Sequence, residues 1–458
     1  MGIAWYWYAG GFIVALGVLV TIHELGHFLA AQVCGVKVLR FSVGFGRALY
    51  TRQCGRDQTE WVVAAIPLGG YVRMLDEREG EVAPHEAHRA FNRQSLSRKA
   101  LVVVAGPAAN LLFAVLFYWL MFVLGVDELR PVVALPAAGT PAAVAGVPEG
   151  ATIKAVDGET TLSWTDTRIA LLEGITTHRP IKLDVETESG ASASYTLEIP
   201  ADISTHPDQD LGKQLGLMLY RPSPRPVIGD VKPRSAAAEA GLKSGDEIVE
   251  IDGSAIHQWS QVVEAIRGGA GKQIALAIRR DGEVRTIKLT PRAEEEGGKT
   301  IGRMGAMVKI DPALQARLFT VIRYDPLTAV GKALAQTWDT IRISLVMMGR
   351  MVTGAISWRN LSGPVAIADY AGQSAALGIV QYLRFLALIS VSLGVLNLLP
   401  VPVLDGGHLM YYLAEFFKGS PVSERSLEIG QRLGLVLLGL LMAGALYNDL
   451  VRLFRLTP

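Results

Sequence analysis

Thiols are almost absent. Cys34 and Cys54 are the only two cysteines in 458 residues, and none follows residue 54. A disulfide-stapled scaffold is therefore excluded, since such folds space their cysteines along the whole chain. Charge is scarce too: Asp, Glu, Lys and Arg make up 19% of the residues, where a soluble domain carries about 25%. The 44 basic and 43 acidic residues almost cancel, to a net charge of +1, so no charge excess draws the chain to nucleic acid, and none is expected as a partner. At 50% hydrophobic the chain is also far too apolar for disorder.

What is there in place of charge is long apolar runs. Between Gly2 and Val36 the one charged residue is Glu24, and from Ala100 to Val126 there is none. Phe385 to Leu404 and Leu433 to Asn448 are likewise uncharged. A membrane-crossing helix needs about 20 mainly apolar residues. Four spans are expected, over residues 8–30, 101–125, 383–404 and 433–453. The first reads as a span and not a cleaved signal, because it lacks a basic leader and two His and a Glu occupy the place of a cleavage site. The bilayer is thus an expected partner.

Loop charge orients the spans. Residues 31–99 carry a cluster of Lys and Arg, from Lys37 to Lys99, which places that loop in the cytoplasm. The large segment 127–380 then lies outside, and the loop 406–432 returns to the cytoplasm.

The outer segment contains a repeat. Residues 142–164 and 236–259 align at an offset of 95, matching Gly146 to Gly241, Gly150 to Gly245, Ile153 to Ile248, Asp157 to Asp252, Gly158 to Gly253 and Trp164 to Trp259. Each copy reads as an Ala-rich helix, a Gly turn, a strand and an Asp-Gly hairpin. AGLKSGDEIVEIDG in the second copy resembles the PDZ domain in its bacterial form; the first copy diverges, with Ala151 in the place of Asp246. Such domains bind peptide C-termini by strand addition, and a spacer or plug is the other role open to the first copy. Beyond the repeat, Leu327, Val330, Leu334, Trp338, Ile341, Leu345, Met348 and Val352 recur at helical steps. This amphipathic helix could lie on the membrane, on the repeat pair or in a core.

The chemistry lies in the spans. Residues 23–27 read His-Glu-Leu-Gly-His. On a helix His23 and His27 share a face and can reach one Zn2+, with Glu24 beside them as general base. Three ionisable groups inside one apolar span are costly and point to function. A catalytic zinc takes three protein ligands, and the missing one is sought in NLLPVPVLDGGH, residues 397–408. Pro400 and Pro402 break the helix there, which is tolerated at membrane depth where backbone lines a cavity. Asp405 is the favoured third ligand and His408 its rival. Val38–Val43 alternates polar and apolar residues up to Gly44-Phe45-Gly46, and Trp61–Ile66 forms a second strand-like run. They predict a hairpin, either dipping into the bilayer beside the site or lying plainly in the cytoplasm.

HELGH, GPAAN at residues 106–110 and NLLPVPVLDGG, with two PDZ-like copies between the second and third spans, resemble the site-2 protease family of intramembrane zinc metalloproteases, essentially end to end. The resemblance implies one catalytic Zn2+ on His23, His27 and Asp405, with Glu24 as base. It implies an unwound substrate held by Asn397, by the Pro400 and Pro402 segment, and by the hairpin at Gly44, Phe45 and Gly46. The expected fold is an α-helical polytopic membrane protein of four transmembrane helices with a membrane-associated β-hairpin, plus two α+β PDZ domains. Its parts are a membrane core in 1–126 and 381–458, PDZ domains in 127–221 and 222–310, and an amphipathic surface region in 311–380.

The function so implied is endoproteolysis of single-span membrane proteins, such as an anti-sigma factor, after trimming by a site-1 protease, in an envelope stress response. The location is a bacterial inner membrane, with the PDZ domains periplasmic and HELGH toward the cytoplasm. A metal transporter or sensor scaffold with PDZ recruitment is the alternative. It accounts for intramembrane His and Asp but leaves Glu24 without a role.

Overall fold

The structure, a computed structural model, describes residues 5–176, 179–200, 203, 211–221, 224–296, 299–355, 363–420 and 422–456. Residues 222 and 223, where the second repeat copy was expected to begin, and 356–362, within the expected amphipathic region, lie outside the described residues. The chain divides into two compact units, Met1–Val126 with Arg323–Pro458, and Asp127–Ile322.

Among the described residues, the first unit contains four helices long and apolar enough to cross a membrane. They are α1 (Trp5–Val33), α2 (Leu96–Leu124), α5 (Ile379–Asn397) and α7 (Glu424–Leu456). Two further helices, α3 (Pro326–Val352) and α4 (Pro364–Leu377), precede α5, and α6 (Asp405–Lys418) follows it. The third span is shorter than its apolar run. It ends at Asn397, and residues 398–404 are irregular, with Val403 held at φ 95°. Pro400 and Pro402 have no N–H to continue the helical ladder. The chain then turns back so tightly that a Cβ at Gly406 would strike the carbonyls of Leu398 and Leu399, and one at Gly407 that of Val401. The Gly-Gly pair is what lets α6 begin at Asp405.

Small residues set the helix contacts, as they must where lipid supplies no hydrophobic drive between helices. Gly26 of α1 sits against Ala105 and Ala109 of α2, and Gly394 of α5 against Leu111 and the Pro107 carbonyl. Gly11 of α1 meets Ala371 of α4, and Gly372 meets Tyr8. Around these contacts Ala15, Leu19, Ile22, Phe117, Met121, Phe122, Phe385 and Leu386 form the core.

Helix α3 packs by an unexpected face. Ala329, Ala333, Thr337 and Thr340 are its buried residues, and Thr340 pairs with the Tyr118 hydroxyl of α2 at 3.3 Å. Most of the apolar stripe read from the sequence turns the other way: Leu327, Val330, Leu334, Trp338 and Leu345 are exposed, whereas Ile341 and Met348 are partly buried against Ala114, Val391 and Val395. Bulky residues cannot approach α2 as closely as alanine can, so the small stripe takes the packed side.

Between α1 and α2 lie two long strands, β1 (Val38–Cys54) and β2 (Thr59–Met74). They form more than a plain hairpin. Gly44, Gly46 and Gly69 have φ of 94°, 87° and 117°, conformations open to glycine. The bends fold both strands over, so that Phe41 pairs with Trp61 on one side and Val72 on the other. The outer part pairs Tyr50 with Val63 and Cys54 with Thr59. Phe28 of α1, Phe41 and Trp61 pack ring on ring at centroid distances of 4.5–5.6 Å and fix the sheet to α1. Phe45, Leu49, Tyr50 and Ile66, near the bends, are exposed.

The second unit shows the repeat as structure. One antiparallel sheet orders its strands Glu159–Thr160, Thr152–Val156, Ile181–Glu186, Ser192–Leu197, and the other Ser254–Ala255, Glu247–Ile251, Ile274–Arg280, Glu283–Leu289. Each has its own core, centred on Ile153, Leu183 and Ile175 in one and on Ile248, Leu276 and Val262 in the other. The repeated Asp-Gly pair closes the same turn in both. Asp157 and Asp252 sit at φ 50°, and their carboxylates accept from the backbone N–H of Lys182 and Ala275.

Candidate metal centre

Helix α1 places His23 and His27 one turn apart with Glu24 next to His23, and the broken end of α5 returns Asp405 to them. Nε2 of His23 lies 3.2 Å from Oδ2 of Asp405, Nε2 of His27 lies 3.6 Å from that oxygen, and the two Nε2 atoms are 3.2 Å apart. Tetrahedral bonds of about 2.0–2.1 Å to a zinc ion put neighbouring ligand atoms about 3.3–3.4 Å apart. The three donor atoms therefore already have the spacing of a zinc ligand set. Asp405 Oδ2 is buried without a hydrogen-bond partner among the described residues, which costs free energy unless a cation faces it. The residues present fit the metal. Among the described residues this is the one group of three His, Cys, Asp or Glu side chains with such convergence.

His408, the rival ligand, stands one turn beyond Asp405 on α6 and packs toward Tyr411, at 6.4 Å between ring centroids. It is not part of the convergent group.

Helix α2 backs the two histidines. Nδ1 of His27 donates to the Val102 carbonyl at 2.8 Å, and the Asn110 amide lies 3.1 Å from Nδ1 of His23. Gly106, between them on the same face, leaves room for both rings: a Cβ there would collide with the His27 imidazole. Val102, Gly106 and Asn110 recur every fourth residue, a spacing visible in the sequence, although GPAAN carried no assigned role there beyond resemblance. Only 12% of each histidine side chain and 18% of that of Asp405 is exposed.

Glu24 faces the sheet. A Cβ at Gly70 of β2 would lie 3.1 Å from Glu24 Cγ and 3.0 Å from Val20, so the strand passes close against the carboxylate. Residues 70–74 pair with β1 on one side, and no other described strand covers their second edge.

The expected substrate-contacting residues fall in three places. Asn397 ends α5 with its amide 3.4 Å from Nε2 of His23, inside the site. Pro400 and Pro402 lie in the turn that delivers Asp405, and the Pro402 carbonyl meets Gly434 of α7. Gly44, Phe45 and Gly46 form the bend of β1, where Phe45 stacks on Tyr71 at 6.1 Å. They shape the sheet whose Gly70 segment reaches Glu24.

Residues 11–441 match the family model described as peptidase family M50. The chain is 44% identical to "Regulator of sigma-E protease RseP" of Escherichia coli K12, covering 98% of this chain and 100% of that one. It is 43% identical to the protein of the same name in Salmonella typhimurium 14028s, over 98% and 99% of the two chains. A Neisseria meningitidis protein whose name is that of a zinc metalloprotease is 41% identical, over 96% and 98%.

Proposed function

The chain belongs to peptidase family M50, the site-2 proteases, and is a zinc metalloprotease; from that premise we propose that it cleaves single-span membrane proteins within or near their transmembrane segment. The observation that carries this reading is the convergence of His23, His27 and Asp405 within helices that can span a bilayer. In the proposal these three hold the zinc and Glu24 is the general base. The transporter alternative gives way, since it has no use for a carboxylate beside the donors in a protease family.

Bound zinc would acidify water to a pKa of about 7 and polarise a peptide carbonyl. Glu24, adjacent to the donors, takes the proton released and returns it to the leaving amine. Substrate must arrive unwound, because a helical carbonyl is hydrogen-bonded within its own helix. The free edge of residues 70–74 offers backbone groups to an extended strand, and the Gly70 segment carries that strand past Glu24. Asn397, beside His23, is positioned to hold a substrate amide. The exposed apolar bend at Phe45, Leu49 and Ile66 suits a sheet dipping into the hydrocarbon.

The protein is a multi-pass membrane protein, and its likeness to sigma-E regulators of enterobacteria supports an inner-membrane location and an anti-sigma factor as substrate, trimmed first by a site-1 protease. The basic loop 31–99 supports a cytoplasmic side for HELGH. The two repeat modules are PDZ domains in this proposal, facing the periplasm and excluding untrimmed ectodomains. The test is cleavage of a purified single-span substrate by wild type and Glu24→Gln, with bound zinc measured in both. Zinc retained and cleavage lost is the expected result; cleavage by Glu24→Gln at the wild-type rate would overturn it.

A further inference from the structure

Each histidine of the site needs its Nε2 lone pair free for zinc, and its proton must then sit on Nδ1. For His27 the structure provides this directly. The Val102 carbonyl, 2.8 Å from Nδ1, can only accept, so the proton is held there and Nε2 is bare. For His23 the neighbour of Nδ1 is the side chain of Asn110: its Nδ2 lies 3.1 Å away, while its Oδ1 is buried without a hydrogen-bond partner among the described residues. An amide has an accepting and a donating end that exchange by a half-turn about its last bond. With the N–H₂ toward Nδ1, as here, that nitrogen would be bare and the proton would lie on Nε2. It would then point at Nε2 of His27 and at Asp405, where a lone pair is required. The half-turn brings the unpartnered Oδ1 to Nδ1 in place of the N–H₂.

We propose that Asn110 is a positioning residue of the metal centre: its amide oxygen accepts the Nδ1–H of His23 and fixes the tautomer whose Nε2 binds zinc. This rests on the reading of His23, His27 and Asp405 as ligands. Three observations support it. Asn110 is fully buried in a helix of otherwise apolar neighbours, a costly placement without a polar task. Its backbone carbonyl accepts from Ser390 of α5 at 2.7 Å, so residue 110 is anchored to the span that leads to Asp405. It also lies two helical turns from Val102, so that one face of α2 orients both histidines, with Gly106 between.

The test compares zinc affinity of the purified full-length chain, by competition with a chromogenic chelator, across four proteins. Asn110→Leu keeps the volume and removes the acceptor; it should weaken zinc about 10–100-fold. Asn110→Asp keeps an acceptor and cannot donate; it should bind zinc at least as tightly as wild type. A pure packing role predicts the reverse order. Wild-type affinity in Asn110→Leu, or a loss in Asn110→Asp as large as in Asn110→Leu, would overturn the inference. Should Asn110→Leu fail to accumulate, Asn110→Asp decides alone: retention supports the acceptor role and loss overturns it. His23→Ala is the control. If it binds zinc like wild type, the ligand assignment fails and this inference with it, whereas an unaffected Asn110→Leu beside a zinc-free His23→Ala sinks the Asn110 role alone.

Discussion

Gly106 of α2 lies directly under the His27 imidazole: a Cβ at residue 106 would overlap that ring and stand 2.9 Å from Cε1 of His23. The contact is between two apolar helices, and it makes a residue without a side chain part of the candidate metal centre.

Gly106→Ala is therefore expected to lower zinc affinity at least tenfold, by displacing the His27 ring from Val102. The substitution raises helix propensity by about 1 kcal/mol, so α2 itself is not weakened. Zinc content and thermal midpoint, measured together, check this. Full zinc binding in Gly106→Ala would mean that the rings can shift without loss.

Asp405→Ala should lose zinc and proteolysis, while His408→Ala should keep the metal. The donor distances include Asp405 and not His408. Metal analysis of the two purified variants, side by side, separates the candidates; zinc retained in Asp405→Ala and lost in His408→Ala would reverse the assignment.

In the second repeat module, Asp246 accepts two bonds from Arg280, both at 2.7 Å, and one from the Lys243 backbone N–H. Burial opposes its charge, but the Arg280 guanidinium and that N–H hold its carboxyl below the ordinary range. A depressed carboxylate contributes stability above its unfolded pKa of about 3.9, and that stability is lost as pH falls through the lower folded value. Asp246→Asn should therefore destabilise the module by about 1–3 kcal/mol at pH 7, and the deficit should close below pH 4, about where the unfolded carboxyl protonates. Limited proteolysis of the intact chain across pH reads it. A deficit unchanged at low pH would point to packing and not to the ion pair.

Deleting residues 222–310 should leave zinc bound, since every proposed ligand lies in the other unit. Under the size-filter reading, the deletion should let an untrimmed single-span substrate be cleaved. Comparing trimmed and untrimmed forms of one substrate decides this. Untrimmed substrate left intact, with slower cleavage of the trimmed form, would favour peptide capture by the module, which acts by raising effective concentration.

Much of the centre was legible before any fold was known. HELGH declares itself because helical geometry brings residues four apart onto one face, and a charge inside an apolar run is too costly to be incidental. The four spans follow from length and hydropathy alone. The repeat could be aligned by eye because both copies need the same Asp-Gly turn, and both use its carboxylate in the same way.

Other features needed the tertiary structure. The stripe on α3 has the right period, but periodicity names two faces without saying which is packed; the close approach of α2 chose Ala329 and Ala333 over Leu334 and Trp338. Strand periodicity found β1 and β2, yet the doubled pairing that brings Gly70 to Glu24 depends on glycine bends whose partners lie elsewhere in the chain. Asp405 and His408 were rivals because three residues of separation say little about direction. The tight turn at Gly406 and Gly407 aimed the first and left the second aside. By itself the sequence determined the chemistry, since residue types and local spacing are carried along the chain. Only the fold decided which groups back the histidines, the Val102 carbonyl and the Asn110 amide, because those contacts join residues 75 and 87 positions apart, and no local rule spans that distance.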